Sequence, residues 1–400
     1  MRRDGSAAVH AAENDPGPWS GYHKLPRRER LRLLAARARL NPAELGTLAA
    51  TSALPHEMSE AFVENSLGSF PLPLGLAVNF IVDGQAAVIP MAIEESSVVA
   101  AASHGAKLVA AGGGFRTEVG PAIAIGQVEL RGVRNPAAAK AVLARRKRAW
   151  IAALNSSIPK MVVRGGGVTG IETRAVGKGR LVLHVLVDTQ EAMGANVVNS
   201  LCETLAPMAA AELHASVGLR IVSNLASARL VTARATIPET ALGGRDAVRA
   251  IVAANDFARA DPYRAATHNK GIMNGVDAVL VATGNDWRAA EAGAHAYAAH
   301  GGRYTSLTSY RVGPRGALVA SLTMPLSLGV VGGVTRLHPT ARVVLKVMGA
   351  PDARRLAALV ASVGLAQNLA ALKALAGEGI QKGHMALHQA NLDLAGADGA

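Results

Sequence analysis

Val168-Thr-Gly-Ile-Glu-Thr-Arg-Ala-Val176 and Arg180-Leu-Val-Leu-His-Val-Leu-Val-Asp188, joined by Gly177-Lys-Gly179, decide how this chain is organised. Both runs are rich in β-branched and apolar residues, and glycines bound the turn between them, so they read as a hairpin. Helical patterns flank it: Pro136–Leu154, with proline at its start, and Gly194–Val217. Outside these lie two strand-like runs, Ile123–Val133 and Leu219–Ile237. The order is β-α-β-β-α-β, a split-βαβ or ferredoxin-like pattern. Residues 122–227 therefore read as a small domain inserted into a larger one, and the fold class as α+β.

Working outward, residues 21–121 and 228–383 form the two pieces of the larger domain, and residues 1–20 read as a flexible tail. Leu25–Ala50 reads as two short helices, the second opening at Asn41-Pro-Ala-Glu44 with an N-cap and proline at the first helical position. Phe70–Pro90 carries strand signals around Asp83-Gly84, a hairpin turn. Glu94–Gly112, Gly243–Arg259, Ala289–Ala299 and Ala353–Ala376 read as helices, and Gly316–Leu328 as a strand.

Half of the 400 residues are apolar and only 3% are aromatic, so the core must be built from Ala, Val, Leu and Ile. A single cysteine, Cys202, excludes a disulfide framework and any multi-cysteine metal site, fits a reducing cytoplasm, and reads as a small core residue. There is no signal-peptide pattern and no membrane-spanning run with suitable flanks, so a soluble, cytoplasmic protein is expected. The net charge is +13, but the positive residues are dispersed and no aromatic residues interleave with them. That argues against nucleic acid and for a polyanionic small molecule such as a phosphorylated coenzyme.

The chemistry concentrates in Asp261-Pro-Tyr-Arg-Ala-Ala-Thr-His-Asn-Lys-Gly-Ile-Met-Asn-Gly-Val-Asp277, followed by Val281-Ala-Thr-Gly-Asn-Asp-Trp-Arg288. Arg264, His268, Lys270, Asn274, Asp277, Asn285 and Asp286 sit here among glycines and small residues. The stretch does not show an amphipathic helical pattern and reads as an active-site loop built around Lys270. Four other segments stand out: Glu64-Asn-Ser-Leu-Gly68, Glu94-Glu95-Ser96-Ser97, Glu191-Ala-Met-Gly-Ala-Asn196 and Gly383-His384-Met385. The third offers backbone amides at a helix N-terminus, a natural phosphate seat. No Rossmann fingerprint, Walker loop or zinc-binding histidine pair is present, and no metal site is expected.

Together these segments resemble the class II 3-hydroxy-3-methylglutaryl-CoA (HMG-CoA) reductases of bacteria, from about Tyr22 to about Asn391, most strongly over Asp261–Tyr297. The resemblance implies a large HMG-CoA-binding domain interrupted by a ferredoxin-like NAD(P)-binding domain. It also implies a homodimer with sites at the subunit interface. The reaction would interconvert HMG-CoA and mevalonate plus coenzyme A by two hydride transfers, in mevalonate degradation. The implied catalytic set is Glu95, Lys270, Asp286 and His384. Lys270 would stabilise the oxyanion, Glu95 would donate a proton once buried, Asp286 would hold Lys270 charged and aimed, and His384 would protonate the departing thiolate. Arg264, Asn274, Ser97 and Asn224 would bind substrate, and Glu191, Met193, Gly194 and Asn196 the cofactor.

Three departures from the family pattern stand out. Glu191 replaces the usual aspartate of Asp-Ala-Met-Gly. Asn155-Ser-Ser-Ile-Pro-Lys-Met-Val-Val-Arg164 carries no acid to receive the adenosine ribose, while Lys160 and Arg164 would attract a 2′-phosphate, leaving NAD(H) and NADP(H) both open. Residues 384–400 leave room only for a short remnant of the C-terminal flap. Two rivals to an active reductase are a Schiff-base enzyme using Lys270 and a catalytically weak CoA or nucleotide binder of the same fold.

Overall fold

The computed structural model describes residues 19–50 and 54–377; the expected tail, His384 and the expected flap lie outside them. The two expected N-terminal helices are α1 (Arg27–Ala38) and α2 (Pro42–Ala49), followed by a short α3 (His56–Phe62). Asn41 and Glu44 form a reciprocal capping box: the Glu44 N–H donates to Asn41 Oδ1 at 2.9 Å and the Asn41 N–H to Glu44 Oε2 at 2.8 Å. β1 (Leu74–Val82) and β2 (Gln85–Ala92) pair antiparallel across Asp83 and Gly84, both at positive φ, as the hairpin reading requires. Next comes α4 (Val98–Ala110), which starts four residues later than the sequence suggested because Ser97 takes φ 71°, outside helical geometry.

After β3 (Arg116–Val119) the chain enters the inserted unit: β4 (Ile123–Arg131), α5 (Pro136–Ser157), α6 (Pro159–Val163), β5 (Gly167–Ala175), β6 (Arg180–Asp188), α7 (Ala195–Leu213) and β7 (Ser216–Ser223). Its strands form one antiparallel sheet in the order β5-β6-β4-β7. α5 packs on β5 and α7 on β4 and β7, around a core that includes Val128, Leu183, Leu201 and Cys202. Burial pushes the Cys202 thiol up to about 12, as befits a core residue rather than a nucleophile. α7 ends sooner than the periodicity suggested, because His214 adopts a left-handed conformation and Ser216 opens β7.

The run Leu219–Ile237, expected as one strand-like stretch, is two strands in different sheets. β7 closes the inserted sheet, while β8 (Leu230–Ile237) pairs with β3. The strands just before and just after the insertion are therefore neighbours, so the chain leaves and re-enters the larger sheet at one place. The larger unit continues through α8 (Glu239–Leu242), α9 (Arg245–Ala260), α10 (Pro262–Ala282), α11 (Trp287–Ala298), β9 (Thr308–Val312), β10 (Leu318–Pro325), α12 (Gly333–Leu337), α13 (Pro339–Val347) and α14 (Ala353–Ala376). Its sheet runs β3-β8-β10-β9. α14 is long and apolar enough to cross a membrane, but 89% of its apolar window is buried inside the fold. It packs against α4, α9, α10 and the sheet, and is the centre of the larger core.

The Lys270 stretch is not a loop. Asp261 caps α10 by accepting the Arg264 N–H at 2.9 Å, and Pro262 occupies the first helical position. The helix runs twenty-one residues from Pro262, through Gly271 and Gly275. Each glycine costs roughly 1 kcal/mol against alanine in a helix interior, which is why the sequence looked loop-like. Gly275 offsets this through packing: a Cβ there would lie 3.0 Å from Val363 and 3.1 Å from Gln367, so its absence lets α10 close onto α14.

Candidate active site

Two clusters hold the described candidate residues. The first is built on α10. Lys270 and Asn274 lie one turn apart on its outer face, and both point at the loop between β2 and α4. Lys270 Nζ donates to Glu95 Oε2 at 3.2 Å, and Asn274 Nδ2 approaches the same oxygen at 3.4 Å. The Lys270 and Glu95 side chains are 61% and 42% exposed, so the ion pair is open to a ligand. The burial expected of Glu95 is not supplied by this chain alone. Ser97, two residues on, holds the α4 N-cap at φ 71°. Such geometry costs a non-glycine residue about 1 kcal/mol and is typical of residues held for function. Arg264 sits half-buried in the first turn of α10, where burial lowers its pKa.

The second cluster lies where the inserted unit meets α11. Asp286 caps α11, accepting the Ala289 N–H at 3.1 Å, with Arg288 Nε 3.5 Å away. No direct bond joins it to Lys270, whose ammonium is paired with Glu95. Met193 and Asn224 line a small cleft with Ala289 and Gly293. Gly293 matters here because a Cβ would lie 2.7 Å from the Asn224 carbonyl. Gly194, at φ 95°, opens α7 with no side-chain cap, and a Cβ there would collide with Thr189. Asn196 is exposed in the first turn of α7. Glu191 Oε2 accepts the Ala353 N–H of α14 at 2.7 Å.

Residues that the sequence did not single out tie this cluster together. Arg229 is 5% exposed and donates to Thr189 Oγ1 at 3.0 Å, the Ala192 carbonyl at 3.2 Å and the Leu328 carbonyl at 2.6 Å. Burial lowers its pKa to about 10 against the raising effects of Asp188 and Glu191. Asn285 accepts the Gly329 N–H at 2.9 Å. No local pattern marks an arginine before a strand as buried, so only the fold reveals Arg229. Asn155, at the start of the Asn155–Arg164 segment, bonds both the N–H and the carbonyl of Val168 with its side chain, at 2.7 and 3.1 Å. Lys160 and Arg164 are exposed beside the Gly165–Gly167 turn.

His268 and Asn269, adjacent to Lys270, face inward. His268 Nε2 lies 2.6 Å from Thr308 Oγ1, 2.9 Å from Ser306 Oγ and 3.2 Å from Asn368 Nδ2, and burial drives its pKa down to about 3. Asn269 bonds the Tyr304 hydroxyl and the backbone of Thr305 and Leu307. Among the described residues, no group of three or more His, Cys, Asp or Glu side chains is placed to hold a metal ion.

The family model for hydroxymethylglutaryl-coenzyme A reductase matches residues 26–389. The 3-hydroxy-3-methylglutaryl-coenzyme A reductase of Archaeoglobus fulgidus is 47% identical over 384 residues, 95% of this chain and 87% of that protein. A probable enzyme of the same name from Borreliella burgdorferi is 34% identical over 332 residues, 82% of this chain and 76% of the relative. Among solved structures, the Streptococcus pneumoniae 3-hydroxy-3-methylglutaryl-coenzyme A reductase superposes with a TM-score of 0.86 at 42% identity, covering 89% of this chain and 99% of that one. The class II enzyme from that organism bound to NADPH in open conformations agrees equally well. With its fold, its Lys270–Glu95 pair and these relatives in agreement, the chain belongs to the hydroxymethylglutaryl-coenzyme A reductase family, as a class II oxidoreductase.

Proposed function

We propose that this enzyme interconverts HMG-CoA and mevalonate plus coenzyme A, with NADP(H) as the preferred coenzyme. The observation that carries the reading is the convergence of Lys270 and Asn274 on the Glu95 carboxylate, from elements 175 residues apart. In the reductive direction each hydride addition leaves negative charge on the substrate oxygen. Lys270 stabilises that charge as a fixed donor, and Glu95 delivers the proton to the aldehyde oxygen. Asn274, one turn along α10 from Lys270, holds the substrate carboxylate and hydroxyl together with Ser97 and Arg264. His384 protonates the leaving thiolate, whose ordinary pKa of roughly 8.5 lies within reach of an imidazole donor.

The inserted unit is read as a ferredoxin-like coenzyme domain spanning residues 122–227. The uncapped N-terminus of α7 and the glycine that leaves no Cβ at position 194 suit the close approach of a dinucleotide. Met193, Gly194, Asn196 and Asn224 hold it there, and when bound it supplies the hydride. Lys160 and Arg164 attract a 2′-phosphate, and no acid between Asn155 and Arg164 repels one. The neighbouring class II structure with NADPH favours the same choice.

Asp286 reaches Lys270 across a homodimer in this reading. An exposed apolar strip supports that association: Leu67 is 103% and Phe70 91% exposed, and both line a cleft that also reaches Gly284, two residues before Asp286. The test is absorbance at 340 nm with purified enzyme, mevalonate and coenzyme A, offering NAD⁺ and NADP⁺ separately. A CoA-dependent rise, faster with NADP⁺, is expected. No rise with either, and no consumption of reduced coenzyme with HMG-CoA, would overturn the reading.

A further inference from the structure

Thr189–Gly194 joins β6 to α7 and carries the proposed coenzyme contacts. Within the inserted unit Thr189 bonds the Ala122 carbonyl and Gln190 the Gly165 carbonyl, and the segment is also held from outside that unit. Arg229 grips Thr189 and the Ala192 carbonyl and bonds Leu328 with its other arm. The Val330 N–H donates to the Glu191 carbonyl at 2.9 Å. Gly329 lies so close that a Cβ would stand 2.6 Å from the Met193 nitrogen, and its own N–H is bonded to Asn285, the residue before Asp286. A further hold from outside the unit is the Glu191 side chain. Its bond to Ala353 falls on the first turn of α14, where helix amides lack intrahelical partners and a carboxylate is favoured by the helix dipole.

We propose that Glu191 is a positioning residue for the coenzyme, not a coenzyme ligand: its carboxylate braces the Ala192–Gly194 turn against α14 while Arg229 braces it against Leu328. The inference rests on the coenzyme reading above. The length of the side chain is what matters. α14 is the most deeply packed helix of the larger core, so its N-terminus is a rigid reference point. The glutamate bond measures 2.7 Å. An aspartate at this position ends roughly 1.5 Å short, one carbon–carbon bond, beyond hydrogen-bond reach unless the turn itself moves. Reach and charge are separable here: the Glu191 carboxylate makes no bond to Arg229, which binds carbonyl and hydroxyl oxygens, and acts on that guanidinium only through space.

Two substitutions separate reach from charge. Glu191→Gln keeps the reach and an acceptor oxygen but loses the charge; Glu191→Asp keeps the charge but loses the reach. Two quantities are compared with the unmodified enzyme: KM for the coenzyme against KM for mevalonate, and hydrogen exchange at the Ala353 amide. For Glu191→Asp, coenzyme KM is expected to rise about tenfold, the scale of one hydrogen bond to a charged group. KM for mevalonate stays unchanged and the Ala353 amide exchanges faster. Glu191→Gln loses less, about threefold on both, because its amide oxygen accepts the same N–H but without the charge. Loss in Glu191→Gln with retention in Glu191→Asp would show the charge acting on the coenzyme and overturn the proposal. Equal losses in the two, or none in either, would overturn it as well. Exchange needs no turnover, so if the unmodified enzyme shows no reductase activity, the brace is still decided by the Ala353 amide while the coenzyme reading fails separately.

Discussion

His268 and Lys270 stand two residues apart on α10 and meet opposite surroundings. His268 is 2% exposed, enclosed by Thr308, Ser306 and Asn368. The Lys270 side chain is 61% exposed and touches only the Glu95 carboxylate among the hydrogen-bonding groups described. One helix thus carries two kinds of polar residue on opposite faces. The inner kind locks α10 to α9, β9 and α14 through a buried network of Asn255, Thr308, Tyr310 and Asn368. The outer kind is left free to meet a ligand. The lesson is that dense polar chemistry in a sequence is not all active site. Part of it is the framework that keeps the active part still, because buried polar groups that are satisfied pin a helix more specifically than apolar packing does.

The contrast predicts opposite phenotypes. The largest effect belongs to the outer face: Lys270→Ala should lower kcat about a hundredfold to a thousandfold, the scale of one oxyanion donor. Thermal denaturation should be unchanged, since the side chain is mostly in solvent; a large loss of melting temperature would place Lys270 in the framework instead. On the inner face, Asn368→Leu should cost about 3 kcal/mol in denaturant unfolding, because the Tyr310 hydroxyl, Thr308 and His268 lose a partner in a dry site. The kcat of the folded fraction should hold. Should kcat fall as far as it does in Lys270→Ala, the division between the two faces is wrong.

The smallest effect is a pH dependence. Burial keeps His268 neutral in the fold, with its pKa lowered to about 3, while the unfolded chain takes up a proton near 6.5. Below that value the unfolded state binds more protons, so stability is complete above about 6.5 and is lost as pH falls toward 3. One unit below the unfolded pKa the loss is about 1 kcal/mol. His268→Gln should flatten this acid limb at some cost in absolute stability. An unchanged limb would mean that other groups produce it.

Much of the fold was legible. α14 runs over the residues its apolar pattern marks, because a helix buried all round is apolar all round. Asn41-Pro-Ala-Glu44 and Asp83-Gly84 produced the cap and the turn expected, since both are decided within four residues. The β-α-β-β-α-β order was also readable, though the run after α7 concealed a change of sheet at Asn224–Arg229. α10 was misread. Its start carried the proper signal, Asp261 followed by Pro262, but two glycines and a run of polar residues outweighed it until packing on α14 was visible.

By itself the sequence determined which chemical groups this protein owns and most of its secondary structure, because both are local properties. Which groups meet was decided only by the tertiary structure. Lys270 finds Glu95 across 175 residues, and Glu191 finds Ala353 across 162. Spacing along the chain carries no record of such pairs, since they form only when whole elements pack and bring distant side chains within a few ångströms.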